Sequence, residues 1–133
     1  MNFLDIYCVT NKHVSFLKDT NYKIGWVGKD DSLPNYINCN KKNNIFYKEK
    51  YYSELTFHYW FWKNKLKLSE SEWIGFCQKR RFWVNKSKIN TQINTNNFNE
   101  IFLTDIQEEW KNYESIICEP IYINNVKKMK MIK

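Results

Sequence analysis

The chain has 133 residues, a length typical of one domain that can bury a hydrophobic core. Hydrophobic residues make up 43% of it and aromatic residues 18%, which excludes an intrinsically disordered protein. The net charge of +7 would favour contacts with phosphates. The lysines, however, occur with many Asn and Ile residues and no alanine, as in proteins from A·T-rich genomes. The charge therefore does not by itself indicate a nucleic-acid partner, and we expect none.

The first half of the chain contains two strand-like runs and a loop. Phe3–Thr10 (FLDIYCVT) is rich in β-forming residues, and Lys23–Val27 (KIGWV) is a second short run that ends at Gly28. The segment Lys29–Asn44 contains Pro and repeated Asp and Asn residues, which are typical of a loop.

The second half contains alternating helix-like and strand-like segments. Glu49–Leu66 lacks Gly and Pro and carries aromatic residues at helical spacing, which predicts one helix. The apolar run Trp73–Cys77 predicts a buried central strand. Asp105–Tyr113 has acidic residues in its first half and predicts a helix. Ser115–Ile123 predicts a last strand, interrupted at Pro120.

This order of elements predicts a single α/β domain over residues 1–133, with a mostly parallel sheet and crossover helices. The tail Lys127–Lys133 ends without a helix-end or turn signal, so we expect the chain to be the N-terminal part of a longer protein.

Cysteine spacing and hydropathy limit the cellular compartments in which we expect the protein. The four cysteines are far apart and form no CxxC pair, so no zinc or redox motif is present. The N-terminus has no signal-peptide pattern, and no apolar run is long enough to span a bilayer. We therefore expect a reduced, cytoplasmic protein whose contact with a membrane is at most peripheral.

The only two arginines of the chain, Arg80 and Arg81, stand side by side just after the predicted central strand. Arginine binds phosphate or carboxylate in a bidentate manner that lysine cannot match, and α/β proteins bind ligands beyond the carboxyl ends of their strands. Neighbouring residues of a strand point to opposite faces. We therefore expect one arginine to bind a ligand and the other to support the fold.

Glu54 lies inside the predicted aromatic helix, where a carboxylate is costly to bury unless it is paired. It could act as a catalytic base or as an acceptor for a sugar hydroxyl, or it could pair with Arg80 or Arg81. We favour the pairing. Tyr59, Trp60 and Trp62 are expected mainly in the core. Asn64 could cap the end of the helix in a left-handed conformation without any ligand.

Two loops contain further candidates. Thr10, Asn11 and Lys12 follow the first strand, at the position where such folds bind a nucleotide. Asp30 and Asp31 form an acidic pair that could hold Mg²⁺ or Mn²⁺ against a diphosphate. Because this pair does not follow the central strand, we favour solvated loop charges over a metal site.

Four segments together resemble a known bacterial family. They are IYCVTNK (Ile6–Lys12), VG (Val27–Gly28), SELTFHYWFWKN (Ser53–Asn64) and IGFCQKRRFW (Ile74–Trp83). Their order is similar to a family of domains of unknown function regarded as glycosyltransferases of capsule and exopolysaccharide biosynthesis. The family pattern runs approximately VTHK, then ELTxxYWxWKN, then GxxHYRRxF.

The resemblance implies transfer of a sugar from a nucleotide-sugar to a polysaccharide or other glycan acceptor, with Mg²⁺ or Mn²⁺ as a candidate cofactor. It implies that ligand-binding residues are found among Thr10, Asn11, Lys12, Asn64, Gln78, Arg80 and Arg81, with Glu54 as the candidate catalytic residue. Gln78 and Lys79 stand where the family has His-Tyr, and Asn11 stands where it has His. Glutamine can form hydrogen bonds but does not titrate. The alternative is therefore a truncated or degenerate, non-catalytic domain that binds a glycan or a partner.

Overall fold

The computed structural model describes residues 3–119 as an α/β fold built on a four-stranded parallel sheet. The strands are β1 (Leu4–Thr10), β2 (Lys23–Trp26), β3 (Ile37–Asn38) and β4 (Trp73–Gln78), and their order in the sheet is β3-β2-β1-β4. All three strand pairs are parallel. The predicted fold class is therefore confirmed.

Strand β1 lies between β2 and β4, and its side chains alternate between the two faces of the sheet. On one face, Ile6 and Cys8 pack in a cluster that includes Leu17 and Phe98. On the other face, Tyr7 and Val9 pack against aromatic residues. Because both faces are covered, β1 needs the continuous apolar run that made it recognisable in the sequence.

In the described part of the chain, three α-helices and several 3-10 helices connect and cover the sheet. The α-helices are α1 (Glu49–Tyr52), α2 (Leu55–Asn64) and α3 (Phe98–Ile101). The 3-10 helices are Ser15–Asp19, Phe46–Lys48, Leu66–Leu68, Lys86–Lys88 and Glu108–Asn112. Helix α2 supplies Phe57, Trp60 and Phe61 to the core on the second face of β1.

The single helix predicted over Glu49–Leu66 is wrong in one respect: it is interrupted at Ser53. Ser53 has φ 43° and ψ −121°, which separates α1 from α2. The helix pattern continues on both sides of the break, and serine carries no breaker signal of its own. The sequence pattern therefore could not locate the interruption.

Three further predictions differ from the structure. Ile37–Asn38 pairs with β2 inside the segment predicted as a loop. The predicted helix Asp105–Tyr113 is only a 3-10 helix, Glu108–Asn112. Residues 115–119 form no strand, and the remainder of the predicted Ser115–Ile123 strand lies outside the described residues. Within residues 3–119, no helix is long and apolar enough to cross a membrane.

Candidate functional site

The strand order creates a topological switch point between β1 and β4. The chain proceeds from β1 to β2 to β3 on one side of β1, and it then places β4 on the other side. In open parallel sheets, ligands bind beyond the carboxyl ends of the strands at such a point, because the connections diverge there and leave a crevice. Thr10 ends β1 and Gln78 ends β4, so both residues lie at this edge.

A pocket of about 180 Å³ lies at the switch point. Three chain segments form most of its wall: the end of β1 with the following loop, the α1–α2 junction, and the end of β4 with the following turn. Its lining residues are Val9, Thr10, Asn11, Val27, Glu49, Ser53, Glu54, Gln78, Lys79 and Arg80. Five residues predicted from sequence are thereby brought together: Thr10, Asn11, Glu54, Gln78 and Arg80.

The loop after β1 is held by its own hydrogen bonds. The buried Thr10 hydroxyl donates to the backbone oxygen of Lys12 at 2.7 Å and accepts from the Lys12 N–H at 3.1 Å. Lys79 Nζ donates to Asn11 Oδ1 at 2.9 Å. These bonds fix the loop and connect it to the turn after β4.

Glu54 is linked to the end of β4 by Gln78, whose Nε2 donates to Glu54 Oε1. The expected pairing of Glu54 with an arginine is wrong, since the ion pairs found among residues 3–119 are Lys23–Asp5 and Lys111–Glu108. Glu54 also lies not inside a helix but at the N-cap position of α2. Its carboxylate therefore reaches the pocket and is only partly buried.

Positive charge accumulates on one side of the pocket. Partial burial lowers the pKa of Lys79, and the nearby positive charges of Arg80 and Lys12 lower it further. Arg80 and Lys79 in the pocket wall, with Lys12 in the adjoining loop, thus form a cationic side of the pocket that suits a bound anion. Arg80 makes no ion pair within the described part of the chain, so its guanidinium is available for such an anion.

Backbone strain also occurs at this pocket. Ser53 lines it and has a positive φ, a conformation that costs a non-glycine residue of order 1–3 kcal/mol. Its backbone N–H donates to Glu49 O at 2.7 Å, which closes α1. The strained residue orients the start of α2 so that Glu54 faces Gln78.

The comparison with known proteins gave one result. A model of a domain of unknown function (DUF4422) matches residues 5–132. The chain belongs to the DUF4422 family. No curated protein and no solved structure matched it. The match includes every pocket residue, so the pocket belongs to the DUF4422 domain, and the predicted membership of a family of unknown function is confirmed.

Arg80 and Arg81 do not lie on a strand as expected, because β4 ends at Gln78 and the chain turns there. Arg81 bridges back to Gln78, with backbone N···O distances of 3.0 and 3.2 Å. Arg80 lines the pocket of this DUF4422 domain, and Arg81 does not. The turn, not strand alternation, therefore separates the two arginines.

Other sequence candidates lie away from the pocket. Asn64 is not a left-handed cap, since the positive-φ residues of the described chain are Lys42 and Ser53. Its side chain donates to Trp60 O and Asn43 O, each at 2.7 Å, and so ties α2 to the preceding loop.

The acidic pair Asp30 and Asp31 is exposed and does not line the pocket. Asp30 takes part in the fold through its backbone oxygen, which accepts from Trp26 Nε1 at 3.0 Å. Among residues 3–119, no group of three or more His, Cys, Asp or Glu side chains is placed to hold a metal ion.

Sequence reasoning missed five residues of the pocket wall, the apolar Val9 and Val27 and the polar Glu49, Ser53 and Lys79. Glu49 and Ser53 face the pocket because of the break between α1 and α2, and no residue pattern in the sequence predicted this break. Lys79 could have been found, because it lies between Gln78 and Arg80 at the end of a predicted core strand.

A larger cavity of about 770 Å³ lies along β4 and also touches Leu4 and Ile6 of β1, and its wall includes Trp73, Trp83 and Trp110. Among residues 3–119, its wall contains none of the sequence-predicted candidates and no cationic side chain. The smaller pocket is the candidate functional site because it combines the switch point with converging charged groups.

Proposed function

We propose that this chain binds the diphosphate of a nucleotide-sugar at the switch-point pocket and transfers the sugar to a glycan acceptor. The observation that carries the proposal is that Arg80 and Lys79 line the pocket at the carboxyl ends of β1 and β4, with Lys12 in the adjoining loop. Parallel sheets bind nucleotides at this location. The resemblance to sugar-transferring proteins of polysaccharide biosynthesis supplies the substrate class.

The proposed chemistry is mainly positioning and charge stabilisation. When the bond between sugar and diphosphate breaks, negative charge increases on the leaving oxygen. A preorganised cation such as the Arg80 guanidinium stabilises that charge more than it stabilises the substrate. The pocket is about 180 Å³, smaller than a typical site for a whole organic ligand. It therefore accommodates the phosphates, while the nucleoside and the sugar extend beyond it.

Glu54 is the carboxylate available to interact with the acceptor. Its Oε1 accepts from Gln78, which leaves Oε2 to accept a hydrogen bond from a sugar hydroxyl. If Glu54 acts as a general base, it takes the proton of the attacking hydroxyl as the new glycosidic bond forms. Gln78 then orients the carboxylate.

A divalent cation fits the pocket only together with the substrate. Mg²⁺ is usually bound through one or two carboxylates, with substrate phosphates and water completing its coordination. Glu49 and Glu54 are the carboxylates of the pocket wall, and they would hold such an ion against the diphosphate. The ion would supply additional charge neutralisation.

One observation favours a second function, a degenerate domain that binds a glycan or a partner without catalysis. The Glu54 carboxylate accepts a hydrogen bond from an amide that cannot titrate, and neither His13 nor His58 lines the pocket. His58 instead packs on Phe76 with ring centroids 4.3 Å apart. Without a histidine to move protons, acid–base chemistry among the described residues of the pocket wall would fall to Glu49, Glu54 and Lys79.

Binding is tested by thermal shift with uridine and guanosine diphosphate sugars, with and without Mn²⁺. We expect at least one nucleotide-sugar to raise the melting temperature of the wild-type chain and of Arg81→Ala. The shift should be abolished in Arg80→Ala. Arg81→Ala is a matched control because it removes the same charge from the same turn outside the pocket. Equal responses of the two variants would contradict the proposed site.

Catalysis is tested separately by the release of nucleoside diphosphate in the presence of glycan acceptors. Release that is lost in Glu54→Gln while the thermal shift remains would support the transferase. Binding without release, in wild type and variant alike, would support the non-catalytic alternative.

A further inference from the structure

Helix α2 has two apolar faces, and only one of them packs against the sheet. Its inner face contains the buried residues Thr56, Phe57, Trp60 and Phe61. Its outer face contains Leu55 and Trp62, which are 54% and 56% exposed. Exposed apolar residues also occur in the segments on either side of this helix. We define the aromatic–lysine face by its exposed or partly exposed residues Tyr47, Tyr51, Leu55, Tyr59, Trp62, Leu66 and Leu68.

Lysine ammonium groups lie over the aromatic rings of this face. Lys63 Nζ is 3.5 Å from the ring centroid of Trp62 and 5.8 Å from that of Tyr59. Lys50 Nζ is 4.7 Å from the ring centroid of Tyr51. The face therefore combines apolar surface with cations at short range.

The acidic residues of the same segment point elsewhere. Residues 46–68 contain five lysines, which are Lys48, Lys50, Lys63, Lys65 and Lys67. They contain only two acids, Glu49 and Glu54, and both line the switch-point pocket. Within this segment the lysines therefore outnumber the carboxylates by five to two, and the next carboxylate along the chain, Glu70, shares the wall of a separate pocket with Lys65 and Leu68.

We propose that the aromatic–lysine face docks on the surface of a bilayer that contains anionic lipids. Trp and Tyr are favoured at the boundary between headgroups and acyl chains, and lysines beside them reach the lipid phosphates. The exposed leucines favour a bilayer over a single-stranded nucleic acid as the binding partner. Bases stack on aromatic rings, whereas Leu55, Leu66 and Leu68, the last of them 74% exposed, match acyl chains.

This docking goes beyond the proposed function and does not depend on it. Leu55 on the docking face directly follows Glu54 in the pocket wall. A chain docked through α2 would therefore hold its pocket close to the membrane surface. A lipid-anchored molecule would then reach the pocket more readily than a dissolved one.

The test is co-sedimentation of the full chain with two kinds of vesicle, one of pure phosphatidylcholine and one with about a third phosphatidylglycerol. We expect the chain to partition at least tenfold more strongly to the anionic vesicles, with an affinity that falls as salt is added. Each lysine near an anionic surface contributes roughly fivefold. Lys65→Glu/Lys67→Glu should therefore weaken binding about 25-fold or more.

Matched controls come from another exposed part of the chain. Lys86→Glu/Lys88→Glu makes the same change in net charge on the 3-10 helix Lys86–Lys88, and it should weaken binding much less. Trp62→Ser should also weaken binding about tenfold, whereas Ile89→Ser, at a residue 61% exposed, should not. All four positions or pairs are exposed, so folding should survive each change.

Three results would overturn the proposal. The first is equal binding to both kinds of vesicle. The second is equal weakening by the variants and their controls, which would indicate a response to net charge alone. The third is a dimer in the absence of lipid that Trp62→Ser dissociates, because the face would then be an interface between two copies of the chain.

Discussion

Gln78 at the end of β4 donates a hydrogen bond to the carboxylate of Glu54 at the start of α2. The two residues are 24 positions apart in the chain, and their contact joins the sheet to the helix across the candidate site. The bond orients a carboxylate that would otherwise point freely into water. Changes at Gln78 should therefore act through Glu54.

Replacing Gln78 with Glu would place two carboxylates in contact. Like charges raise the pKa of one carboxyl in the folded chain above its unfolded value, so the penalty is present at neutral pH and disappears as the pH falls. We expect Gln78→Glu to lower the free energy of unfolding by about 1 kcal/mol or less at pH 7, and to regain the wild-type value near pH 4. Urea unfolding at both pH values measures this, with Gln92→Glu at an exposed distant position as control. An unchanged difference at the two pH values would contradict the contact.

Replacing Gly28 with Ala should disturb the loop that carries Asn11. A Cβ at Gly28 would lie 2.9 Å from the backbone oxygen of Asn11 and would overlap the Trp26 ring. Trp26 is buried and held by its hydrogen bond to Asp30 O, so it has little room to move. We expect a loss of about 1–3 kcal/mol in unfolding free energy, and weaker nucleotide-sugar binding in the chain that remains folded.

Gly75→Ala is the control for that change. Its Cβ would meet the Ile6 side chain at 3.1 Å, a lesser conflict on the core side of the sheet. We expect a smaller loss of stability and unchanged ligand binding. If Gly28→Ala binds as well as Gly75→Ala, the Asn11 loop does not contribute to binding.

Replacing Thr56 with Val should stabilise the chain. Thr56 is fully buried in α2, and its hydroxyl has no hydrogen-bond partner among the described residues. Valine has nearly the same shape without the polar atom, so we expect the unfolding free energy to rise by about 1 kcal/mol. Thr20→Val should instead destabilise, because Thr20 Oγ1 donates to Leu17 O at 3.0 Å. Denaturant midpoints compare the two, and a less stable Thr56→Val would show that the hydroxyl is satisfied.

Replacing Asp5 with Asn should remove part of the acid sensitivity of the fold. Burial acts to raise the pKa of Asp5, but hydrogen bonds from Lys23 and Ser71 and the charge of Lys23 outweigh it, so the net shift is downward from 3.8. A lowered pKa stabilises the folded chain above pH 3.8, and that stabilisation is lost as the pH falls through the folded value. Because Lys23 and Asp5 are partly exposed, we expect Asp5→Asn to lower the free energy of unfolding at neutral pH by about 0.5–1 kcal/mol.

The Asp5–Lys23 pair also makes the stability of the fold depend on pH in the alkaline range. Burial acts to lower the pKa of Lys23, but the hydrogen bond to Asp5 and the charges of Tyr7 and Asp5 raise it above 10.5. This contribution is present below pH 10.5 and is lost as the pH rises through the raised value. The stability of Asp5→Asn should therefore fall below that of wild type at neutral pH and converge with it at both low and high pH, as measured by unfolding curves across the pH range. Asp31→Asn in the exposed loop should follow wild type throughout.

Most of the sheet could be predicted from sequence. β1, β2 and β4 were predicted within one residue of their observed ends, because buried parallel strands require continuous apolar runs. β3 could not be predicted, since Ile37–Asn38 is a strand only by virtue of pairing with β2. The helix was predicted but its break was not, because nothing in the local sequence requires a positive φ at Ser53.

The candidate site, like the fold, was predicted only in part from the sequence. The sequence by itself determined which residues lie at the strand ends. Of the candidates predicted there, Thr10, Asn11, Gln78 and Arg80 line the pocket, whereas Lys12 and Arg81 do not. Only the tertiary structure decided their partners. The turn after β4 selected Arg80 over Arg81, and the break at Ser53 brought Glu54 to Gln78 and not to an arginine. The physical reason is that strand ends depend on local apolar pattern, whereas a side-chain contact between distant residues depends on how helix and sheet pack together.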